Sequence, residues 1–457
     1  MVMTPDGATA GAAPPPSPPV LDGTVDEDAS ALAGQAEHGE RILARLPAPV
    51  DRDVEQRNLA AAVFDSCRQT REQFMRRHAD AVYDALTDGR TRRIRLTELV
   101  FAAARRFPGL VPDQGQMDEE SARVQDHKEG REIDQGIFFR GILRSPTSGA
   151  HLTDTMLMAS PRALALADRY HRDGRVDLGP VLLERRAAAG HLTVRNPHCL
   201  NAEDNALIDA METAVDLVLL DEQTRVGVLR GDVMTHPRYA GRRVFSAGIN
   251  LSDLRDGRIS FVEFLMRREL TYLSKIFRGL LLPPAEATFA VPSLQKPWVA
   301  AVDSFAIGGG MQLLLVFDRV IAADDAFFSL PAAQEGIVPG AGNLRLGRLT
   351  GSRLARRVIL SGKKILATDP ESALICDEVV AEDALDDAVE AAVQELDNPA
   401  VIANRAMLAL AEEPSDQFRV YMAEFAFTQA CRLYGEDVIG KVERSWSRSA
   451  ARSRPPS

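Results

Sequence analysis

The chain has 457 residues, a formal net charge of −11 and 45% hydrophobic side chains, with a sequence pI near 5.4. That acidity argues against nucleic acid or an anionic membrane as the main partner, and the length exceeds one ordinary domain while supplying ample core. Cys67, Cys199, Cys376 and Cys431 fall without C-x-x-C spacing; with no signal-peptide pattern and no apolar run of membrane-spanning length, a cytoplasmic protein is expected.

Residues 1–30 are rich in Pro, Ala, Gly and acidic side chains, including PPPSPP from Pro14. So little apolar surface predicts a disordered tail. Residues 31–175 read as a helical N-terminal domain, because apolar residues recur at three and four spacing in Leu59, Val63, Phe64 and Cys67 and again in Leu96, Leu99, Val100 and Ala103. Within it, the charged stretch 113–136 reads as a loop or mobile insertion, followed by IFFRGIL and a helix near 161–170. The region is expected to cap the core or its neighbours; a sharper alternative is that it closes over a substrate pocket. Alternation in GPVLLERRAAAGHLTVRN predicts a hairpin around Ala189 and Gly190, near the start of an α/β core over residues 176–382. Residues 383–457 read as helical again, and the apolar stripe in RVYMAEFAFTQACRLY predicts packing between subunits.

Inside the core, FSAGIN at 245–250 is followed by AIGGGMQ at 306–312. Each places a glycine turn after a short apolar strand, a geometry that aims free backbone N–H groups at one developing negative oxygen. Gly248 and Gly309 let the backbone approach a ligand with no Cβ between, and the N–H groups of Ile249 and Gly309 are the expected oxyanion donors. Either glycine cluster alone is a weak signal, but the ordered pair is specific.

Together with LNAEDN near Leu200, WVAAVDS at Trp298, DRVIAADDAFFSLP at Asp318 and VPGAGN at Val338, this pair resembles the crotonase (enoyl-CoA hydratase/isomerase) superfamily over roughly residues 176–390. The resemblance implies a crotonase-type spiral of ββα units, here with an added N-terminal helical domain and C-terminal oligomerisation helices. It also implies an acyl-CoA whose thioester carbonyl is held by Ile249 and Gly309, and assembly as a homo-oligomer, trimer or hexamer. The hydratases carry one glutamate two residues after the triple glycine and a second just after the proline of the following strand. Here those positions hold Gln312 and Ala332. Neither exchanges a proton near neutral pH, so water addition has lost its acid and its base while the enolate-stabilising donors remain. Glu335, three residues past Ala332, is expected to point elsewhere after a strand-to-turn shift.

The long helical N-terminal region, the loss of both glutamates and an Arg-rich helix after the first oxyanion segment further resemble one branch of the superfamily, along nearly the whole chain. That branch reacts 3,5-dihydroxyphenylacetyl-CoA with O2, without metal or organic cofactor, to give 3,5-dihydroxyphenylglyoxylate and CoA in making dihydroxyphenylglycine for glycopeptide antibiotics. The resemblance implies that Glu203 and Arg268 face the aryl ring with Gln429 near them, and that Gln312 lies on the substrate or O2 side. It implies that Arg195, the loop His236, Pro237, Arg238 and Tyr239, and the segment Ala247, Gly248, Ile249, Asn250, Leu251 and Ser252 meet the CoA arm. Val338, Pro339, Gly340 and Asn343 would border the acyl end. A solvated loop is the plainer reading of HPRY, and Glu203 would equally suit the first turn of a helix. No residue stands out as base for the α-proton.

None of the histidines recurs at i, i+4 spacing with a nearby carboxylate, and no strand leads into G-x-G-x-x-G. No metal, dinucleotide or flavin site is therefore expected. The expected partners are the acyl-CoA and O2 as substrates and further copies of the chain, with no nucleic acid and no membrane. Two other readings fit the same residues: an arylacetyl-CoA thioesterase or isomerase with Glu203 as base, and an acyl-CoA-binding protein without catalysis.

Overall fold

The computed structural model describes residues 15–235, 237–283, 293–435 and 437–438. Of the expected tail, residues 1–14 lie outside this range, while residues 25–30 are helical and open α1 (Val25–Leu43). The N-cap Thr24 and Glu27 form a capping box, the Gly23 N–H donates to Asp28 Oδ1 at 3.0 Å, and Ser66 Oγ donates to the Pro16 carbonyl. Composition alone missed this because polar caps add to the few apolar contacts of Leu21, Val25 and Ala29 with the core in pinning the segment.

The N-terminal region continues with α2 (Val54–Thr87), α3 (Leu96–Arg106), α4 (Gln114–Ser121), α5 (Arg131–Arg144), α6 (Ser148–Leu157) and α7 (Pro161–Asp173). The charged stretch 113–136 is therefore not a mobile insertion. Its charges are spent internally: Asp113 caps α4, and Glu120, 1% exposed, accepts from the N–H groups of Glu129, Gly130 and Arg131 at 2.7–2.8 Å. Glu129 pairs with Arg52, and Arg131 with Glu40. A buried carboxylate taking three backbone donors replaces the apolar anchor that a hydropathy reading looks for.

The core begins with β1 (Arg175–Asp177), β2 (Val181–Arg186) and β3 (Ala189–Val194), joined as antiparallel neighbours. The hairpin turn falls on Ala187, at φ +50°, and Ala188. It is thus earlier than predicted, and Ala189 and Gly190 already pair with Arg186 and Arg185. There follow α8 (Asn205–Leu220), β4 (Val226–Gly231), α9 (Leu251–Arg255), α10 (Ser274–Arg278), the short pair β5 (Leu280–Leu281) and β6 (Ser293–Leu294), β7 (Trp298–Val302), β8 (Phe305–Ile307), α11 (Gly309–Leu314), β9 (Arg319–Ala323), β10 (Phe327–Ser329), α12 (Ala332–Glu335), α13 (Gly342–Ser361), β11 (Ile365–Leu366) and β12 (Glu378–Val380). The main sheet has the order β1-β2-β3-β4-β7-β9-β12, parallel from β3 onward, and a smaller sheet has the order β11-β10-β8. This is the expected α/β core of ββα units, with helices before and after it. No helix among the described residues is long and apolar enough to cross a membrane.

Three helices close the described chain: α14 (Leu385–Leu396), α15 (Pro399–Glu412) and α16 (Ser415–Leu433). The apolar stripe expected to face another subunit lies on α16 and instead packs within the chain against α5. Gly136 of α5 sets the approach, since a Cβ there would lie 2.8 Å from Ala430 Cβ and 2.9 Å from the Ala426 carbonyl. Arg419 then ties the two helices by donating to the carbonyls of Leu143, Arg144 and Ser145 at 2.7–3.1 Å. Gly136→Val is expected to destabilise the protein by roughly 1–3 kcal/mol through overpacking of this crossing, read as a lower urea midpoint.

Candidate active site

Three segments distant in sequence lie side by side at the site: Ser246 pairs with Ala306 of β8, and Glu203 pairs with Ile249. Gly248 turns between them with φ +86°, and a Cβ there would lie 2.9 Å from the Ile307 carbonyl and 3.2 Å from Gly309 N. Only glycine fits this turn, and the two glycine loops touch through it. The Glu203 N–H donates to the Gly248 carbonyl at 2.6 Å and the Asn250 N–H to the Glu203 carbonyl at 2.9 Å, so the Ile249 N–H faces away from that pairing. Gly309 opens α11, where the first N–H has no intrahelical acceptor. Neither the Ile249 nor the Gly309 N–H donates to another group among the described residues. Two uncommitted donors on adjacent loops suit one anionic oxygen.

Beside them lies a buried ionic cluster. Arg268, 3% exposed, sits between two π-helical stretches, Phe261–Met266 and Glu269–Leu273, a local widening frequent at functional sites. Its guanidinium donates to Glu203 Oε2 at 3.0 Å, Glu203 Oε1 at 3.1 Å, Glu269 Oε1 at 2.8 Å, Gln312 Oε1 at 2.7 Å and the Gly309 carbonyl at 2.8 Å. Burial opposes this charge, but Glu203, Tyr272 and Glu269 outweigh it and keep Arg268 protonated. The Tyr272 hydroxyl donates to Glu203 Oε1 at 3.0 Å, and burial holds its pKa well above the ordinary 10. Glu269 Oε2 accepts from the Ala341 N–H at 3.1 Å. Arg345 also lies 4.0 Å from Glu269 Oε2, so two carboxylates face two guanidiniums, and a ligand hydroxyl would meet both acceptors and donors there.

Ile249, Gly309, Glu203, Arg268 and Gln312 line one narrow cleft of about 40 Å³, bordered by Val338, Pro339 and Gly340. Larger grooves of about 700 and 550 Å³ lie elsewhere, along α14 and α15, and contain neither donor. Glu335 also lines the cleft, contrary to expectation. The strand-to-turn reading fails because residues 332–335 form one helical turn, α12, which brings i and i+3 to the same face. Burial pushes the Glu335 carboxyl up to about 7. Glu269 and Tyr272 were also missed; Tyr272 stands one turn beyond Arg268, a spacing that could have been read.

Other expected residues stand outside the cleft lining. Gln429, fully buried, accepts from the Val338 N–H at 2.8 Å and so supports the 337–340 turn, while its Nε2 is buried with no partner among the described residues. Asn343 is exposed and bonds Tyr421, because the start of α13 turns it outward. Arg195 pairs with Asp177 and the Gly179 carbonyl. Asn250 caps α9 by accepting from the N–H groups of Ser252 and Asp253, which commits its side chain locally. Leu251 and Ser252 open that helix, and Ala247 packs in a small apolar cluster with Tyr239 and Phe305. Pro237, Arg238 and Tyr239 form a single 3-10 turn, the first two of them exposed; His236 lies outside the described residues. Among the described residues, no group of three or more His, Cys, Asp or Glu could hold a metal ion.

Comparison with known proteins agrees with this architecture. The enoyl-CoA hydratase/isomerase family profile matches residues 184–425. A (3,5-dihydroxyphenyl)acetyl-CoA 1,2-dioxygenase from Amycolatopsis orientalis is 55% identical over 424 residues, which is 93% of this chain and 97% of the relative. A short-chain-enoyl-CoA hydratase from Clostridium acetobutylicum is 29% identical over 42% of this chain and 66% of its own length. A crystal structure of an enoyl-CoA hydratase/isomerase from Pseudoalteromonas atlantica aligns with 61% of this chain and 99% of its own at a TM-score of 0.48 and 21% identity. The chain belongs to the enoyl-CoA hydratase/isomerase family.

Proposed function

We propose that the chain is a dioxygenase converting 3,5-dihydroxyphenylacetyl-CoA and O2 to 3,5-dihydroxyphenylglyoxylate and CoA, without metal or organic cofactor. The carrying observation is the 55% identity over 93% of the chain to a relative of that activity, joined to a site that keeps two free N–H donors while Gln312 and Ala332 replace the hydratase glutamates. In this reading the thioester oxygen sits between the Ile249 and Gly309 N–H groups, and the ring hydroxyls meet the Glu203, Arg268 and Gln312 cluster. A methylene flanked by an aryl ring and a thioester is acidic for carbon, and each donor is worth roughly 3 kcal/mol to the enolate in a dry site.

The enolate gives one electron to O2, and the radical pair combines to a peroxide at the α-carbon. Its distal oxygen attacks the thioester carbonyl and expels CoA thiolate. Loss of the second α-hydrogen with scission of the O–O bond leaves the keto acid. Both oxygens of O2 are retained, one as the ketone and one in the carboxylate, and the two α-protons balance the thiol and the acid. The cleft is too small for an aryl ring as it stands, so binding widens it. The protein is read as cytoplasmic and homo-oligomeric; Met407 and Leu410, three residues apart on α15 and 64% and 57% exposed, support burial of that face against another copy.

Oxygen uptake by chelator-treated protein with 3,5-dihydroxyphenylacetyl-CoA, followed beside free thiol release, tests the reading. Equal uptake and release are expected; thiol release without uptake indicates a thioesterase and contradicts it. Ile249→Pro, which removes one donor, is expected to lower kcat about 10²–10³-fold, measured on variant protein with an unchanged circular dichroism spectrum.

A further inference from the structure

Oxygenation through an enolate needs a group that removes the α-proton, and the Arg268 cluster is poorly suited to it. Glu203 accepts from Arg268 Nε, Arg268 Nη2 and the Tyr272 hydroxyl, and Glu269 accepts from Arg268 and the Ala341 N–H. Such bonds occupy the lone pairs a base must offer. Gln312 is neutral. Glu335 differs on each count. It lines the cleft that holds Ile249 and Gly309, among the apolar side chains Phe264, Leu265, Leu330, Ile337 and Phe425, and its carboxylate has neither a hydrogen bond nor an ion pair among the described residues.

We propose that Glu335 is the base that takes the α-proton of the bound arylacetyl thioester, an assignment that rests on the function proposed above. The C–H bond breaks as an O–H bond forms on Glu335. The released electron pair becomes the enolate C=C bond, and the carbonyl π pair moves to the oxygen held by the Ile249 and Gly309 N–H groups. Neither hydratase glutamate position supplies this group: one is Gln312, the other Ala332, and Glu335 reaches the cleft one helical turn later.

The surroundings favour the role. Burial pushes the carboxyl up to about 7, near the pH at which a general base is most effective. The charged groups around it are committed elsewhere: Arg268 to Glu203 and Glu269, Arg345 of α13 to Glu413, and Arg432, which donates to the Gly336 carbonyl, to Asp437. A carboxyl whose folded pKa is raised from 4.5 to about 7 makes the fold less stable as pH rises through that window. An amide in its place relieves that loss above pH 7.

Deuterium wash-in at the α-carbon of 3,5-dihydroxyphenylacetyl-CoA under argon reads proton removal separately from oxygenation. The parent protein is expected to exchange at a rate that rises with pH through about 7. Glu335→Gln is expected to exchange on the order of 10²–10⁴-fold more slowly and to lose that pH limb, with an unfolding midpoint at pH 8 no lower than the parent's; Glu335→Asp retains part of the rate. Exchange by Glu335→Gln at the parent's rate overturns the assignment. A parent that exchanges but takes up no O2 in air, with exchange lost in Glu335→Gln, upholds the base and overturns the dioxygenase reading instead.

Discussion

A single buried guanidinium, that of Arg268, holds the site together. It bonds Glu203, whose backbone carries the loop of Ile249; it bonds the Gly309 carbonyl beside the second free donor; and it bonds Gln312 of α11 and its own neighbour Glu269. Glu269 in turn grips the Ala341 N–H, at the turn that bounds the cleft on its far side. A charge so deeply buried is retained only if every donor finds an acceptor, so the positions of the two oxyanion loops, α11 and the 338–341 turn are coupled through one side chain.

The segment carrying Arg268 is covered on both sides. The N-terminal helices reach it through Glu132, which accepts from the Phe261 N–H at 2.9 Å, and the same carboxylate accepts from the Tyr434 hydroxyl at 2.6 Å just beyond α16. Arg267, the next residue along, turns the other way to Asp209 and Glu212. The added helical region is thus bonded to the wall of the site rather than appended to a complete domain. For enolate chemistry this has a direct use, since water that reached the carbanion would quench it before O2 did.

The site's backbone was legible because glycine turns and the replaced pair of glutamates leave signals at fixed spacing, whereas Glu203 and Arg268 of the ionic cluster were named only through the family resemblance. Ile249, Gly309, Glu203, Arg268 and Gln312 line one cleft. What escaped was set by local geometry that periodicity does not report. The π-helical stretches around Arg268 and coverage on both faces bury Glu269 and Tyr272 alongside it, where an ordinary surface helix would expose some of these positions. Residues 332–335 wind into a helical turn and return Glu335 to the cleft. In the N-terminal region, Glu120 closes the 129–131 backbone with no apolar residue, so a stretch that reads as mobile is built as structure. Gln429 was placed near the ring by the family resemblance alone, and its carbonyl oxygen supports the Val338 N–H.

If the Ile249 and Gly309 N–H groups stabilise an enolate that O2 attacks, both oxygen atoms are kept in the product. Turnover under oxygen-18 dioxygen, with mass spectrometry of the arylglyoxylate, reads the fate of both atoms. Two labelled oxygens per product molecule are expected, one in the ketone and one in the carboxylate. A product with a single label, its second new oxygen drawn from water, would contradict this route.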